Sequence, residues 1–187
     1  EDAQRLRQRR SQSQWLAAHD AHTGLPNRHT LAQKLQHWCA RAGEDAPAQA
    51  LLWVDVDYFT ALNATAGRAA GDEVLRQVAW LLQREQGMHG MVARVGADAF
   101  VLWLRQAEVQ ALVQTLAWRL CDAAQAWTPR FGGRQRFVLG LSVGWLWTDA
   151  AGNDAQALLR AVEAACRDAK RDGQGRAVQA RLQHLQP

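Results

Sequence analysis

Three carboxylates fall where chemistry is done. Asp55 and Asp57 follow the apolar run Ala50-Leu51-Leu52-Trp53-Val54, which reads as a central strand covered on both faces. Asp98 sits at the reversal of Val92–Leu104, two apolar arms with Gly96 at the turn. Ligands of open α/β sheets gather at strand ends. If the hairpin neighbours the central strand, Asp55 and Asp98 stand on adjacent strand tips. Such a pair makes a hard-oxygen site that Mg²⁺ accepts, with substrate phosphates completing the coordination. The plainer alternatives are a turn-forming Asp98 and a capped strand end at Asp55.

The elements around these acids follow from pattern and punctuation. Residues 1–18 lack Gly and Pro and are basic, which suits a helix. Its apolar positions, Leu6, Trp15 and Leu16, are too sparse to bury against its own domain. Pairing with a second copy, or continuation from an upstream domain, is the expected use. Gly24 and Pro26 break it, and Asn27 caps a helix running to about Ala42 with Leu31, Leu35 and Trp38 on one face. Gly43 marks the end of that helix.

A short helix is expected over Tyr58–Thr65, followed by one opened by Asp72 with Leu75, Val78, Ala79 and Leu82 inward. Another covers 107–126. A strand spans Arg136–Trp147, and Asn153 or Asp154 caps a last helix to about Lys170. Ala177–Val178 reads as a short final strand. A hairpin inside βα units implies a mixed sheet with helices packed on it, not a doubly wound parallel one. Lys170 and Asp72 come at helix ends on a face near the same sheet edge.

Composition narrows the classes. The chain of 187 residues is 48% apolar, enough for one α/β domain plus a leader. It opens at Glu1 without a methionine, which reads as a fragment of something longer. No run reaches membrane-span length and no signal peptide is present, so a cytoplasmic domain is expected, with any anchor lying outside this stretch. Cys39, Cys121 and Cys166 are widely spaced and read as buried thiols in a reducing compartment. The six histidines show no ligand spacing. The net charge of +4 is spread along the chain, with one cluster at Arg5, Arg7, Arg9 and Arg10 and no aromatic–basic interleaving. A nucleic-acid partner is therefore not expected. The nine tryptophans read mostly as packing.

Several motifs in order carry a resemblance. Asp20-Ala21-His22-Thr23-Gly24-Leu25-Pro26-Asn27-Arg28 is similar to D-x-L-T-G-L-x-N-R with one mismatch, His22. Asp55 to Ala64 follows D-x-D-x-F-K-x-x-N-D, and Gly71-Asp72-Glu73-Val74-Leu75 follows G-D-x-x-L. Ser142-Val143-Gly144 and Ala169-Lys170-Arg171-Asp172-Gly173 match S-x-G and A-K-x-x-G. The pattern resembles the GGDEF family, the diguanylate cyclases. The resemblance implies an α+β fold: a central mixed, largely antiparallel sheet of about five strands flanked by helices, a nucleotidyl-cyclase-like palm with a ferredoxin-like core. It implies residues 1–19 as a signalling helix, 20–180 as the GGDEF domain and 181–187 as a tail.

The family condenses two GTP to cyclic di-GMP across facing domains, with Mg²⁺ or Mn²⁺ stabilising the transferred charge. By resemblance, Asp55, the Val56 carbonyl and Asp98 would bind metal. Asn63 and Asp72 would read guanine. The Tyr58 and Phe59 amides, Lys170 and Gly96 would hold the substrate. Asp98 would take the first acidic place of the signature.

The departures point away from turnover. The signature reads Gly96-Ala97-Asp98-Ala99-Phe100: its second glycine is Ala97 and its second acid is Ala99. A positive φ at Ala97 would cost about 1 kcal/mol. Losing one preorganised stabilising group costs about 10²- to 10³-fold in rate. Thr60, Ala64 and Gln174 replace a lysine, an aspartate and an arginine. The R-x-x-D product-inhibition place reads Gly87-Met88-His89-Gly90, so cyclic di-GMP is not expected there. The expectation is an impaired GGDEF domain that regulates or dimerises, with GTP as a possible ligand, an upstream sensor and a downstream phosphodiesterase domain as possible neighbours. An active cyclase and a nucleotide-free scaffold are the alternatives.

Overall fold

A computed structural model describes residues 2–41, 46–107, 109–126, 130–131, 135–136, 139–148 and 154–181. The helices are α1 (Asp2–Ala18), α2 (Arg28–Arg41), α3 (Phe59–Ala66), α4 (Arg68–Glu85), α5 (Gln110–Ala126) and α6 (Ala155–Arg171). The strands are β1 (Gln49–Val56), β2 (Met91–Arg94), β3 (Ala99–Arg105), β4 (Arg130–Phe131), β5 (Gln135–Arg136), β6 (Leu141–Thr148) and β7 (Ala177–Gln179). Five strands form one mixed sheet in the order β2-β3-β1-β6-β7, antiparallel except for the β6–β7 pair. The expected mixed, largely antiparallel α+β architecture is what the chain adopts.

β1 is central because it is apolar on both sides. Alternate residues serve two cores. Ala50, Leu52, Val54 and Val56 face α4 and α5, while Leu51 and Trp53 face α2 and α6. Asp55 follows Leu51 and Trp53 in that alternation, which places it on the α6 side. α6 packs closely on β6, and Gly144 makes this possible. A Cβ there would lie 2.1 Å from the Val162 carbonyl oxygen. That contact is the physical content of the S-x-G motif.

Some expectations shift. The strand expected from Arg136 begins at Leu141, and Gln135–Arg136 pairs instead with Arg130–Phe131. Asp72 does not open its helix. α4 starts four residues earlier with Gly67 as its cap, so a plain capping role for Asp72 is excluded. Asn27 caps α2 through its side chain, accepting from the Thr30 amide at 2.9 Å, and Asp154 caps α6, accepting from the Ala157 amide at 2.8 Å. Gly43, Asn153 and the tail beyond Arg181 lie outside the described residues.

All three cysteines are free and buried. The tryptophans divide: Trp53, Trp103 and Trp145 are core, whereas Trp15, Trp80 and Trp118 are exposed. No described helix is long and apolar enough to cross a membrane.

Candidate active site

The register of the sheet brings the acids together. Asp55 is the cross-strand partner of Ala99 on one side and Ser142 on the other. The Val56 amide donates to the Asp98 carbonyl at 3.0 Å, which docks the hairpin tip onto the end of β1. Lys170, from the last turn of α6, donates to Asp55 Oδ1 at 2.6 Å. Burial, together with the nearby Asp98 and Asp57 carboxylates, pushes the Asp55 pKa up to about 6 against the pull of Lys170. Burial pulls the Lys170 pKa down, but its hydrogen bond to Asp55 raises it overall, so the ammonium stays charged. Lys170 thus neutralises the site rather than standing free.

Cross-strand neighbours have Cβ atoms about 4.5–5.5 Å apart. An acid at position 99 would therefore stand beside Asp55. Ala99 instead offers a buried methyl that joins the apolar cluster with Val95, Leu31 and Leu35. Among the described residues no three His, Cys, Asp or Glu side chains form a metal cage. Asp55 and Asp98 are two carboxylates that could hold one hard cation, since Mg²⁺ often takes only one or two protein carboxylates.

Asp57 is structural. It is buried, accepts from the Ser142 hydroxyl at 2.7 Å and from the Gly175 amide at 2.9 Å, and pins the ends of β1 and β6 to the turn after α6. Beside it, Gln174 is held at φ 64° with its Oε1 buried and unpartnered.

A second group lies where α3 meets α4. Asn63 Oδ1 is enclosed and has no hydrogen-bond partner. It points at Gly71, where a Cβ would lie only 1.9 Å away. Asp72 follows on the same turn, half-buried, with His22 Nδ1 3.9 Å from its Oδ1. Tyr58 takes a left-handed conformation at φ 56° and precedes α3, so the Phe59 amide opens the helix at the end of β1. Helix-opening amides have no intrahelical acceptor and suit phosphate oxygens.

Neither Gly96 nor Ala97 has a positive φ, so the Ala97 methyl carries no left-handed penalty. Sequence reasoning passed over the residue that holds this turn. Arg94 donates from Nη2 to the Ala97 carbonyl at 2.6 Å, from Nε to the Gly96 carbonyl at 3.2 Å, and from Nη1 to Asp20 Oδ1 at 2.9 Å. Burial raises the Asp20 pKa, but hydrogen bonds from Thr23 and Arg94 outweigh it and hold the carboxyl below its usual range. Asp20 in turn belongs to the segment that clamps α1. Asn27 Nδ2 donates to the Ala17 carbonyl and Thr30 Oγ1 to the Ala18 carbonyl, both at 2.8 Å. The signal was available in the opening motif, whose Asp needs a cationic partner once it is buried.

Comparison with known proteins agrees with this geometry. The family described as diguanylate cyclase, GGDEF domain, matches residues 17–176. The chain is 31% identical over 176 residues to the probable diguanylate cyclase DgcE of Escherichia coli K12, covering 94% of this chain and 16% of that protein. It is 33% identical over 158 residues to the diguanylate cyclase DgcP of Pseudomonas aeruginosa, covering 84% of this chain and 23% of that one. The chain thus spans less than a quarter of either relative. The crystal structure of the coiled coil and GGDEF domain of DgcB from Caulobacter crescentus, in complex with c-di-GMP, superposes with a TM-score of 0.84 at 26% identity, covering 96% of this chain and 94% of that one. With residues 17–176 matching the family model and the DgcB domain superposing over nearly the whole chain, this chain belongs to the GGDEF domain family.

Proposed function

We propose that this is a GGDEF domain of a cyclic di-GMP signalling protein that is impaired as a cyclase, binds GTP and acts as a regulatory module. The observation that carries the reading is Ala99 in register with Asp55, a methyl where a second carboxylate would share the metal. Asn63 and Asp72 read the guanine edge; the enclosed Asn63 oxygen, which has no hydrogen-bond partner in the protein, supports this role. The Tyr58 and Phe59 amides take phosphate, Gly96 leaves the nucleotide room, and Asp55, Asp98 and the Val56 carbonyl hold one Mg²⁺ or Mn²⁺. Bound there, the metal would neutralise charge on the phosphates. Lys170 keeps Asp55 ionised and oriented. Residues 20–180 form the nucleotide domain, and residues 1–19 link it to an upstream sensor or to a second copy.

Calorimetric titration with GTP, with and without Mg²⁺, tests the reading. Heat that vanishes in Asn63→Ala and Asp72→Ala supports it, and no heat leaves a protein-binding scaffold. The relatives' names favour a second reading, an active cyclase. Cyclic di-GMP formed from GTP and abolished by Asp98→Ala would establish that instead.

A further inference from the structure

The two edges of the five-stranded sheet, β2 and β7, are finished differently. Beside β2, the Arg94 amide donates to the Pro26 carbonyl at 2.9 Å and Asn27 forms a parallel bridge with Arg94, so the segment after α1 covers part of that edge. β7 pairs with β6 alone among the described strands. The Arg176 carbonyl accepts from the Val143 amide at 2.9 Å, and the Ala180 amide donates to the Trp145 carbonyl at 2.7 Å. Successive residues of a strand turn their backbone groups to opposite sides, so Ala177 and Gln179 present amide and carbonyl to the open side. Gln179 is exposed there.

An open edge is a template for pairing with another chain. We infer that β7 is an interface between two copies of this chain, which pair edge to edge and antiparallel about a twofold axis at Val178. Register, an apolar flank and charge all fit that partner. The axis sets Ala177 opposite Gln179 of the partner subunit, and both turn their backbone groups outward, so each such pair exchanges both of its N–H···O bonds. Trp118, 45% exposed, flanks the edge. It lies about two turns before Gln125 on α5, and Gln125 Nε2 donates to the Gly175 carbonyl at 3.4 Å just ahead of β7. On the α6 side a groove of about 280 Å³ runs along the strand, with Asp172 lining it near the start of β7 and Arg181 near its end. Antiparallel pairing brings the start of one β7 beside the end of the other, so Asp172 of each copy faces Arg181 of the other. An isologous interface uses one patch twice, and opposite charges at its two ends fix the direction of pairing.

The test is sedimentation equilibrium on the whole 187-residue chain up to millimolar concentration, where a concentration-dependent dimer is expected. Gln179→Pro deletes an outward amide that β6 does not use, and should weaken the dimer at least tenfold with the melting temperature of the monomer nearly unchanged. Trp118→Glu should weaken it comparably. Val178→Cys places two thiols on the axis, with Cα atoms about 4.5 Å apart, within disulfide reach. Mild oxidation with diamide should link that variant into dimers. The unaltered chain, whose Cys39, Cys121 and Cys166 are buried, should stay unlinked on a non-reducing gel. Trp15→Glu/Leu16→Glu on α1 should leave the cross-link in place. A monomer at millimolar concentration, a Val178→Cys chain that does not cross-link, a dimer that both Gln179→Pro and Trp118→Glu leave unweakened, or a dimer lost only in the α1 variant would overturn the assignment.

Discussion

Arg94→Ala removes the clamp between the opening motif and the signature turn. The Arg94 and Asp20 side chains are only 11% and 21% exposed. Removing one partner of a fully buried pair costs about 3–5 kcal/mol. Residual solvent access lowers this to about 2–3 kcal/mol here. For a domain of this size, that corresponds to a fall in Tm of about 5–10 °C. Asp20→Asn should cost less, because the amide still accepts from Thr23. The double variant should fall short of the sum by about 1–2 kcal/mol.

Acid titration adds an independent readout. The folded pKa of Asp20 is lowered, so the stability from its ionised form is present above about pH 4 and is lost as pH falls through the folded value. The acid limb should therefore be shallower in Arg94→Ala. Urea melts at pH 7 and pH 3.5 measure both quantities. A loss under 0.5 kcal/mol, or strict additivity with Asp20→Asn, would refute the clamp.

Other outcomes follow from the site. Gly71→Ala drives a methyl into Asn63, whose oxygen has no partner to lose, so GTP binding should drop at least tenfold in calorimetry while the melting temperature moves by only a few degrees. Ala99→Glu places a carboxylate beside Asp55 and should tighten GTP binding in Mg²⁺ at least tenfold, roughly 1.4 kcal/mol, without changing binding in EDTA. With its folded pKa raised to about 6, Asp55 is protonated below that pH, so Mg²⁺-dependent binding should weaken about tenfold between pH 7 and pH 5. The same shift means that this group makes the fold less stable as pH rises from about 4 to 6, a slope that Asp55→Asn should remove in thermal melts.

Elements with strong periodicity or strong punctuation were readable before the fold was known. The both-faces apolar run of β1, the Asn27 cap and the hairpin arms fall where pattern puts them. Adjacency of Asp55 and Asp98 was also legible, because strand ends and a hairpin tip limit the ways acids can meet. Two-residue strands such as β4 and β5 carry too few residues for a period. The conformation of the signature turn was not legible because it has a tertiary cause: Arg94 holds the Gly96 and Ala97 carbonyls in an arrangement that needs no positive φ. The structural task of Asp57 was hidden because its partners, Ser142 and Gly175, lie 85 and 118 residues away.

The last carbonyls of α1 are gripped by Asn27 and Thr30, and the segment between carries Asp20, which holds Arg94. Hydrogen bonds and the short segment between them tie that rod to the hairpin, so a twist of the helix, if one were imposed, would be felt at the Gly96 and Ala97 carbonyls through the Arg94 guanidinium and the Asn27–Arg94 bridge.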